Sequence, residues 1–404
     1  MLITPADAER LVLDALFPLP AEDCPLAQAH GRVLRTPLKA DRELPPFDRV
    51  TMDGYAVCST DIVNGIKSFR VTGIQAAGMV PLVLRNAGDS VEIMTGAALP
   101  AGADCVVPYE AVSREGATIT LDSAGAVLQP GANIHRRGSD AATDDLLVPA
   151  GTRLTGREIA VAATVGAGTL SVAQRPSVAV IATGDELVEV DYAALAPHQI
   201  RKSNDYALRA ALLSSGLVSR AERFHLRDLP HEIETTLQRL IAGFDVVILT
   251  GGVSKGKFDH LPAALAKLGV DRKIHGVAQR PGKPFWFGMT PRHTPVFALP
   301  GNPVSAYTCL HRYVFPALDR LAGATPAAPD YAVLAASLRF SAPLAWLPPV
   351  VLTTTPDGRR TATPAPSNTS GDLGGLIGTD GFIELPPGPA EFPAGTVARF
   401  YRWV

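Results

Sequence analysis

The chain of 404 residues is long enough for about two or three domains of ordinary size, so it can bury several hydrophobic cores without disulfide bonds. Its 37 basic and 39 acidic side chains give a net charge of -2, which argues against a generally basic protein that binds nucleic acid or a membrane surface. The four cysteines lie far apart and form neither a zinc-binding nor a disulfide pattern, so the sequence favours a reducing cytoplasm.

Residues 1–175 predict a β-rich region. The N-terminus carries charges through its apolar stretch, which indicates an amphipathic helix rather than a signal peptide. Short apolar runs at residues 68–74 and 90–96 are separated by turns, as is typical of strands. The longest uncharged run, residues 159–174, contains two glycines and is too short to span a bilayer, so no membrane segment is expected.

Residues 176–322 alternate apolar runs with helical patterns, the latter at residues 205–214 and 229–242. This alternation predicts a doubly wound, mainly parallel α/β domain. The apolar runs expected to form its strands are Val178–Ala182, Asp245–Thr250 and Pro295–Leu299.

A small β domain is expected at the C-terminal end of the chain, over residues 330–404. It follows a linker rich in proline and alanine that begins at Gly323, and the runs at residues 338–346 and 395–404 indicate strands. The sequence therefore predicts a multidomain α/β protein, with β-rich N-terminal regions before the α/β domain and this β domain after it.

Polar loops follow the three apolar runs of the α/β domain. Ligands bind in such sheets where the carboxyl ends of the strands meet, so the three loops indicate one crevice. The first loop carries Asp185 and Glu186 on a tight turn. Adjacent carboxylates hold Mg²⁺ through water when phosphates are also present, but an ordinary solvated turn has the same composition. The dipeptide alone leaves both interpretations open.

The second loop, residues 249–260, nearly matches a P-loop, because Gly251 is followed after four residues by Gly256 and Lys257. Phe258 stands where a hydroxyl that binds Mg²⁺ is needed, so an ATPase is not expected. The glycines would still let backbone N–H groups approach an anion closely.

Four positions of this second loop are candidate site residues. Gly251, Gly252 and Ser254 are expected to face the anion. Asp259 has the chemistry to bind a metal or to polarise a nucleophile, and it is equally suited to cap the helix that follows. Both interpretations of Asp259 remain open.

The third segment begins at Arg280 and continues to Lys283 and Pro284, where prolines on both sides of the lysine pre-position its ammonium group for an oxyanion. A later turn delivers Asn302 as a helix N-cap and Ser305 in the first turn, where free N–H groups and the helix dipole favour an anion. An exposed charged turn and an ordinary capped helix are the structural alternatives. Their joint position after strands of one sheet favours a common site.

The N-terminal region adds further polar turns, which are PPFD at residues 45–48, MDGYAV at 52–57, MTG at 94–96 and GSD at 138–140. Composition alone explains them as turns of a β domain. Because they lie outside the α/β domain, a shared function requires docking across domains or between subunits.

Taken together, these segments resemble the MoeA family, the molybdopterin molybdenumtransferases, which includes the C-terminal domain of gephyrin. The resemblance spans the whole chain in family order. It is carried by PPFD, MDGYAV, MTGAALPAGADCVV, TGDEL, SND, LTGGVS followed by Asp259, RPGKP and LPGNPVSA. It implies two subdomains in the N-terminal region, residues 1–45 with 141–175 and residues 46–140, and a molybdopterin-binding type of α/β domain.

The family's reaction is what the resemblance implies for this chain. The enzyme takes adenylylated molybdopterin, hydrolyses the adenylate and inserts molybdate into the dithiolene, releasing molybdenum cofactor and AMP with Mg²⁺ support. A homodimer, a separate molybdopterin adenylyltransferase and acceptor molybdoenzymes are the implied partners. A non-catalytic molybdopterin-binding or scaffold protein and a molybdopterin adenylyltransferase are the rival interpretations.

The resemblance also assigns roles to individual residues. Catalytic roles are implied for Asp53, Thr95, Asp140, Glu186 and Asp259, of which Asp53 and Asp140 would come from the partner subunit. Metal ligation is implied for Asp185, Glu186 and Asp259. Substrate binding is implied for Asp228, Gly251, Gly252, Ser254, Arg280, Lys283, Pro284, Asn302 and Ser305.

Several positions depart from the family pattern. Arg49, Val50 and Thr51 stand where Asn-Ser-Ala is frequent, and Ser139 stands where glutamate is usual. The loop after Gly252 is also more basic than is usual in the family, because Lys255 and Lys257 lie in it. This difference in charge is expected to affect the preference for substrate or metal.

Overall fold

The computed structural model describes residues 2–123, 125–252, 260–366, 369–388 and 390–404. The chain divides into two compact units. Unit 1 contains Met1–Thr36, Ala150–Gly156 and Thr169–Val404, and unit 2 contains Pro37–Pro149 and Arg157–Gly168. In the part of the chain that the structure describes, no helix is long and apolar enough to cross a bilayer.

The first 175 residues are mainly β-structure, as the sequence predicts. The helices are α1 (Pro5–Asp14), α2 (Ser59–Val63) and α3 (Gly156–Thr164), with short 3-10 turns at Leu26–Gln28, Tyr109–Ala111 and Gly125–Val127. The strands are β1 (Ala21–Pro25), β2 (Leu38–Lys39), β3 (Arg49–Val50), β4 (Gly54–Val57), β5 (Ser68–Gln75), β6 (Asp89–Ile93), β7 (Cys105–Pro108), β8 (Val112–Glu115), β9 (Thr118–Leu121), β10 (Ile134–His135), β11 (Leu146–Val148) and β12 (Thr169–Ala173). The expected N-terminal helix is α1, which begins after Thr4, whose hydroxyl accepts a hydrogen bond from the Asp7 N–H at 3.1 Å.

Unit 2 is built on a six-stranded sheet with the order β7-β4-β6-β5-β9-β8. The interior strand β4 contains the last four residues of the MDGYAV motif, and every residue of that strand is buried. Gly54 starts β4 where a Cβ atom would lie only 2.0 Å from the Val107 carbonyl oxygen, so no larger residue fits. Unit 2 also contains two short antiparallel strand pairs, β2 with β11 and β3 with β10.

Residues 176–322 form the expected doubly wound α/β domain within unit 1. The helices are α4 (Asn204–Ser214), α5 (Pro230–Gly243), α6 (Leu261–Lys267), α7 (Pro303–Cys309) and α8 (Phe315–Ala322), with a π-helical turn at Leu310–Val314 between the last two. The strands are β13 (Ser177–Thr183), β14 (Leu187–Val188), β15 (Ile200–Arg201), β16 (Arg220–Leu226), β17 (Val246–Thr250), β18 (Asp271–His275), β19 (Gln279–Arg280), β20 (Trp286–Met289) and β21 (Pro295–Leu299). The predicted apolar runs are β13, β17 and β21.

The main sheet of this domain has the order β16-β13-β17-β21-β20-β18. The first four strands are parallel, and β20 and β18 add an antiparallel edge. Alternate residues of each strand pack on opposite faces. Val178 and Val180 join a core with α1, α4 and α8, whereas Ala179 and Ile181 join a second core with α5 and α6. Helices on both faces explain why β13 is buried along its whole length.

The C-terminal segment of unit 1 is a closed barrel with the order β22-β26-β25-β27-β29. The strands of this segment are β22 (Asp330–Leu334), β23 (Leu338–Arg339), β24 (Ala345–Trp346), β25 (Pro349–Thr354), β26 (Arg360–Pro364), β27 (Gly381–Glu384), β28 (Glu391–Phe392) and β29 (Val397–Arg402), and a 3-10 turn lies at Leu373–Leu376. The strand expected at residues 338–346 is interrupted, because Pro343 has no N–H group to continue a ladder. Two short strands, β23 and β24, take its place.

Candidate active site

The parallel strands of the α/β domain end at a crevice of about 650 Å³. The loops after β13, β17 and β21 all contribute to its walls, as the positions of the three polar loops predict. The lining residues among the predicted site residues are Glu186, Asp228, Gly251, Gly252, Pro284 and Asn302. The structure thus brings members of all three polar segments to one cavity.

Two glycines allow the loops after β13 and β17 to pack against each other. Gly251 and Gly252 have φ angles of +95° and +64°, which side chains rarely adopt. A Cβ atom on Gly251 would lie 2.7 Å from the Thr183 hydroxyl, and one on Gly252 would lie 2.4 Å from Leu261. The backbone of this loop is therefore exposed to the crevice without side chains in the way.

One wall of the crevice is acidic. The backbone N–H of Asp228 donates to an Asp185 carboxylate oxygen at 3.3 Å, and Glu186 lines the same cavity. Burial raises the pKa of Asp228, and the negative charges of Asp185 and Glu186 raise it further. The arrangement concentrates negative charge that a cation would neutralise. The Arg227 side chain contacts Asp185 at 3.5 Å.

The structure adds a basic residue that the sequence patterns do not single out. Lys202 lines the crevice with a side chain that is only 4% exposed, and its ammonium group pairs with Glu189. The hydrogen bond from Lys202 lowers the pKa of Glu189. The segment between Glu186 and Lys202 is fastened by the parallel pair of β14 and β15, so it forms a strap along the cavity. No sequence signal indicates this lysine, because a charged residue after a short exposed strand is normally solvated.

The SND motif supports the crevice from the start of α4. The Asn204 amide donates to the Thr250 hydroxyl at 2.9 Å and to the Gly301 carbonyl at 2.7 Å, so it joins the loops after β17 and β21. Asp205 also lines the cavity and is almost fully buried. One of its carboxylate oxygens faces Arg223 at 3.3 Å, and the other has no hydrogen-bond partner among the described residues.

Only part of the third polar segment reaches the crevice. Pro284 lines the crevice, and Lys283 beside it is exposed to solvent. Arg280 instead faces a second cavity of about 240 Å³ next to the C-terminal barrel. Asn302 occupies the N-cap position of α7, as predicted, and its amide donates to the Ser370 hydroxyl at 2.7 Å. Ser305 is buried in the first turn of that helix.

Ser254 and Asp259 lie outside the residues that the structure describes, as do Lys255, Lys257 and Phe258. Their assigned roles therefore stay predictions.

The remaining predicted residues belong to unit 2. Asp53 accepts hydrogen bonds at 2.7 Å from both the backbone N–H and the hydroxyl of Thr95, and these bonds lower the pKa of Asp53. Asp140 contacts His135, with 2.7 Å between its Oδ1 atom and the imidazole Nε2 atom. Within unit 2 the two carboxylates are thus each held by a neighbouring side chain.

No group of three or more His, Cys, Asp or Glu residues in the described ranges is arranged to hold a metal ion by itself. Mg²⁺ in phosphate-binding enzymes uses only one or two carboxylates, and water and substrate phosphates complete its shell. The hard oxygen donors of Asp185 and Glu186, with Asp228 beside them, fit such an ion, because one or two carboxylates are enough when phosphates and water complete its shell.

Three family models cover the chain. The MoeA N-terminal region (domains I and II) matches residues 3–166, a probable molybdopterin-binding domain matches residues 179–320, and the MoeA C-terminal region (domain IV) matches residues 331–403.

Individual relatives agree with these models. The chain is 38% identical to a molybdopterin molybdenumtransferase of Synechocystis sp. over 93% of both chains. It is 32% identical to a protein of that name from Staphylococcus epidermidis, over 92% of this chain and 88% of the relative. Among solved structures, a molybdopterin biosynthesis MoeA protein from Pyrococcus horikoshii OT3 superimposes with a TM-score of 0.85 at 25% identity, covering all of both chains.

Proposed function

Because the chain belongs to the MoeA family of molybdopterin molybdenumtransferases and acts in molybdenum cofactor biosynthesis, we propose that its crevice binds adenylylated molybdopterin. Water cleaves the phosphoanhydride bond between the pterin phosphate and the adenylate, so that AMP leaves and the pterin keeps its own phosphate. Molybdate then enters the dithiolene, whose two sulfurs bind molybdenum while one oxo group takes up the two thiol protons and leaves as water. The convergence of a glycine-rich loop, an acidic wall and a buried ammonium group in one cavity carries this proposal.

The two walls of the crevice have different roles in this proposal. Backbone N–H groups of Gly252, Asn302 and Ser305 would donate to the phosphates. The Gly251 N–H already donates to the Leu299 carbonyl at 3.1 Å, so the contribution of Gly251 is the open space that its missing side chain leaves. Lys202 adds an ammonium group that is already desolvated, so its attraction to a phosphate is stronger than that of an exposed lysine. Lys283, on the rim, serves the oxyanion that arrives from solvent.

The acidic wall is suited to Mg²⁺. Asp185 and Glu186 would hold the ion together with substrate phosphates, and Asp259 would join them. When bound, Mg²⁺ supplies charge neutralisation for the phosphoanhydride oxygens. Asp228 lies beside these carboxylates, and its backbone N–H holds the Asp185 carboxylate at 3.3 Å.

A homodimer would bring the remaining carboxylates to the crevice. We place Asp53 and Asp140 of the partner subunit there, with Thr95 holding Asp53, because the family resemblance links these motifs to the same reaction. Light scattering is expected to give a dimer mass, and a monomer mass across micromolar concentrations would contradict this arrangement.

The reaction is placed in the cytoplasm, between a separate molybdopterin adenylyltransferase that supplies the substrate and the acceptor molybdoenzymes that receive the cofactor. All four cysteines are free thiols, which suits a reducing compartment.

Two crevice variants test the proposal. Glu186→Gln and Asp228→Asn keep the size of the side chain and remove its charge, so AMP release should fall by about 10² to 10⁴ while the chain stays folded. Glu222→Gln is the matched control, because this carboxylate pairs with Arg220 on β16 and does not line the crevice. Wild-type AMP release by both crevice variants would contradict the proposed site.

A further inference from the structure

A histidine stands between an arginine and a carboxylate in unit 2. Strands β3 and β10 are antiparallel, and their register places Arg49 directly opposite His135. An Arg49 guanidinium nitrogen (Nη2) lies 3.0 Å from the imidazole Nδ1 atom. On the other side of the ring, Nε2 lies 2.7 Å from Oδ1 of Asp140. The three side chains form one chain of hydrogen bonds.

The chemistry of the two outer groups fixes the proton on the ring. A guanidinium group only donates, so Nδ1 must accept and carries no proton. A carboxylate only accepts, so Nε2 must carry the proton and donate it to Asp140. The neutral ring with its proton on Nε2 satisfies both contacts at once. Arg49 therefore holds the ring in the state that binds Asp140.

Asp140 is fixed on its backbone side as well. Its N–H donates to the Leu44 carbonyl at 2.9 Å, and Leu44 and Ala141 form an antiparallel bridge. The Ser139 hydroxyl makes only a long contact of 3.5 Å to the same Oδ1 atom that His135 binds. No hydrogen bond from a described residue reaches Oδ2, and the side chain is 54% exposed. One carboxylate oxygen is thus engaged and the other is presented to solvent.

We propose that His135 is a positioning residue that orients the Asp140 carboxylate for the reaction, with Arg49 setting the tautomer of the ring. The inference rests on the proposed function, in which Asp140 takes part in the chemistry. When the histidine binds one carboxylate oxygen, it fixes the orientation of the carboxylate and so the direction of the second oxygen. Residues that do not touch the substrate commonly orient catalytic groups in this way. Arg49 and His135 have no predicted role of their own, and only the structure connects them to Asp140.

A merely structural role is the competing explanation. The contact between Arg49 and His135 also joins β3 to β10, so losing it would weaken this ladder. Such an effect would lower stability without changing turnover per folded molecule. A positioning role instead lowers kcat, leaves KM nearly unchanged and disappears once Asp140 is already altered.

The test is a double-mutant cycle on AMP release from adenylylated molybdopterin, normalised to folded protein. His135→Phe keeps a planar ring and removes both hydrogen bonds, so we expect kcat to fall by about 10 to 100-fold. His135→Gln keeps an amide that donates and accepts, so it should recover part of that loss. In an Asp140→Asn background, His135→Phe should cause no further loss. The exposed His30→Phe is the matched control.

The outcomes separate the inference from the function it rests on. The positioning role would be overturned if kcat is unchanged in His135→Phe. It would also be overturned if the double variant lost kcat by the product of the losses seen in His135→Phe and Asp140→Asn. Wild-type turnover by Asp140→Asn would instead remove Asp140 from the proposed reaction, and the inference would fall with it. If His135→Phe does not fold, Arg49→Met tests the same chain of contacts, and wild-type kcat in that variant would count against the role given to Arg49.

Discussion

Arg312 offers the sharpest test of how unit 1 holds its C-terminal barrel. The residue lies in the π-helical turn, and its side chain is only 1% exposed. Its Nε atom donates to Glu384 of β27 at 2.8 Å. Its Nη1 atom lies 2.8 Å from Glu9 of α1, a charge contact without hydrogen-bond alignment. The perturbation is Arg312→Met, which keeps an unbranched stem and removes the charge.

The magnitude follows from what the substitution leaves behind. Burial alone would lower the pKa of Arg312, but the negative charges of Glu384 and Glu9 raise it above its ordinary value, so the guanidinium stays charged. Glu9 and Glu384 are themselves less than 20% exposed. Removing the cation leaves Glu384 with the Tyr401 hydroxyl at 3.0 Å and Glu9 with the partly exposed Arg399 at 3.5 Å, so the expected cost is about 3 kcal/mol.

Tryptophan fluorescence during urea unfolding reports the free energy of unfolding of unit 1, because all three tryptophans, at positions 286, 346 and 403, belong to that unit. Lys267→Met is the control. It breaks an exposed pair with Glu234 at 3.3 Å and should cost less than about 1 kcal/mol. Equal losses for the two variants would refute the reasoning, since the buried triad would then contribute no more than a surface pair.

Three further predictions concern His311, Gly54 and Lys202. Burial lowers the pKa of His311 to about 4, so the native ring stays neutral, while the ring in the unfolded chain binds a proton below its ordinary pKa of about 6.5. The free energy of unfolding should therefore fall by about 3 kcal/mol as the pH drops from 6.5 to 4. This dependence on pH should be weaker in His311→Phe. Gly54→Ala should abolish soluble folded protein, whereas Gly168→Ala, which meets no neighbour, should give normal yield and circular dichroism. Lys202→Met should weaken AMP binding, measured by calorimetry, about tenfold or more. Glu189→Gln should strengthen AMP binding, because it releases the Lys202 ammonium group from its ion pair. Tighter binding by Lys202→Met and weaker binding by Glu189→Gln would remove Lys202 from the substrate site.

Much of the α/β domain could be predicted from the sequence, since its signals are local. The runs that become β13, β17 and β21 are apolar because parallel strands covered on both faces are buried throughout. Helices α4 and α5 begin and end within one residue of the predicted patterns. The family and the enzyme class are confirmed by the relatives that cover most of the chain.

Other features depend on contacts between distant residues, which no local pattern encodes. The burial of Lys202 arises only when the strap lies along the crevice. The π-helical turn between α7 and α8 carries Arg312, whose side chain contacts both Glu9 of α1 and Glu384 of β27, residues far away in the sequence. The hydrogen bonds around His135 likewise depend on the register of β3 with β10.

The most direct measurement of the central claim is the product balance of the purified chain. The protein is incubated with adenylylated molybdopterin and Mg²⁺, with and without molybdate, and AMP and active molybdenum cofactor are quantified in the same sample. We predict that each AMP released with molybdate is matched by one cofactor able to activate an acceptor molybdoenzyme, and that ATP alone is not hydrolysed. Hydrolysis of ATP without pterin, or no AMP from the adenylylated substrate, would contradict the account.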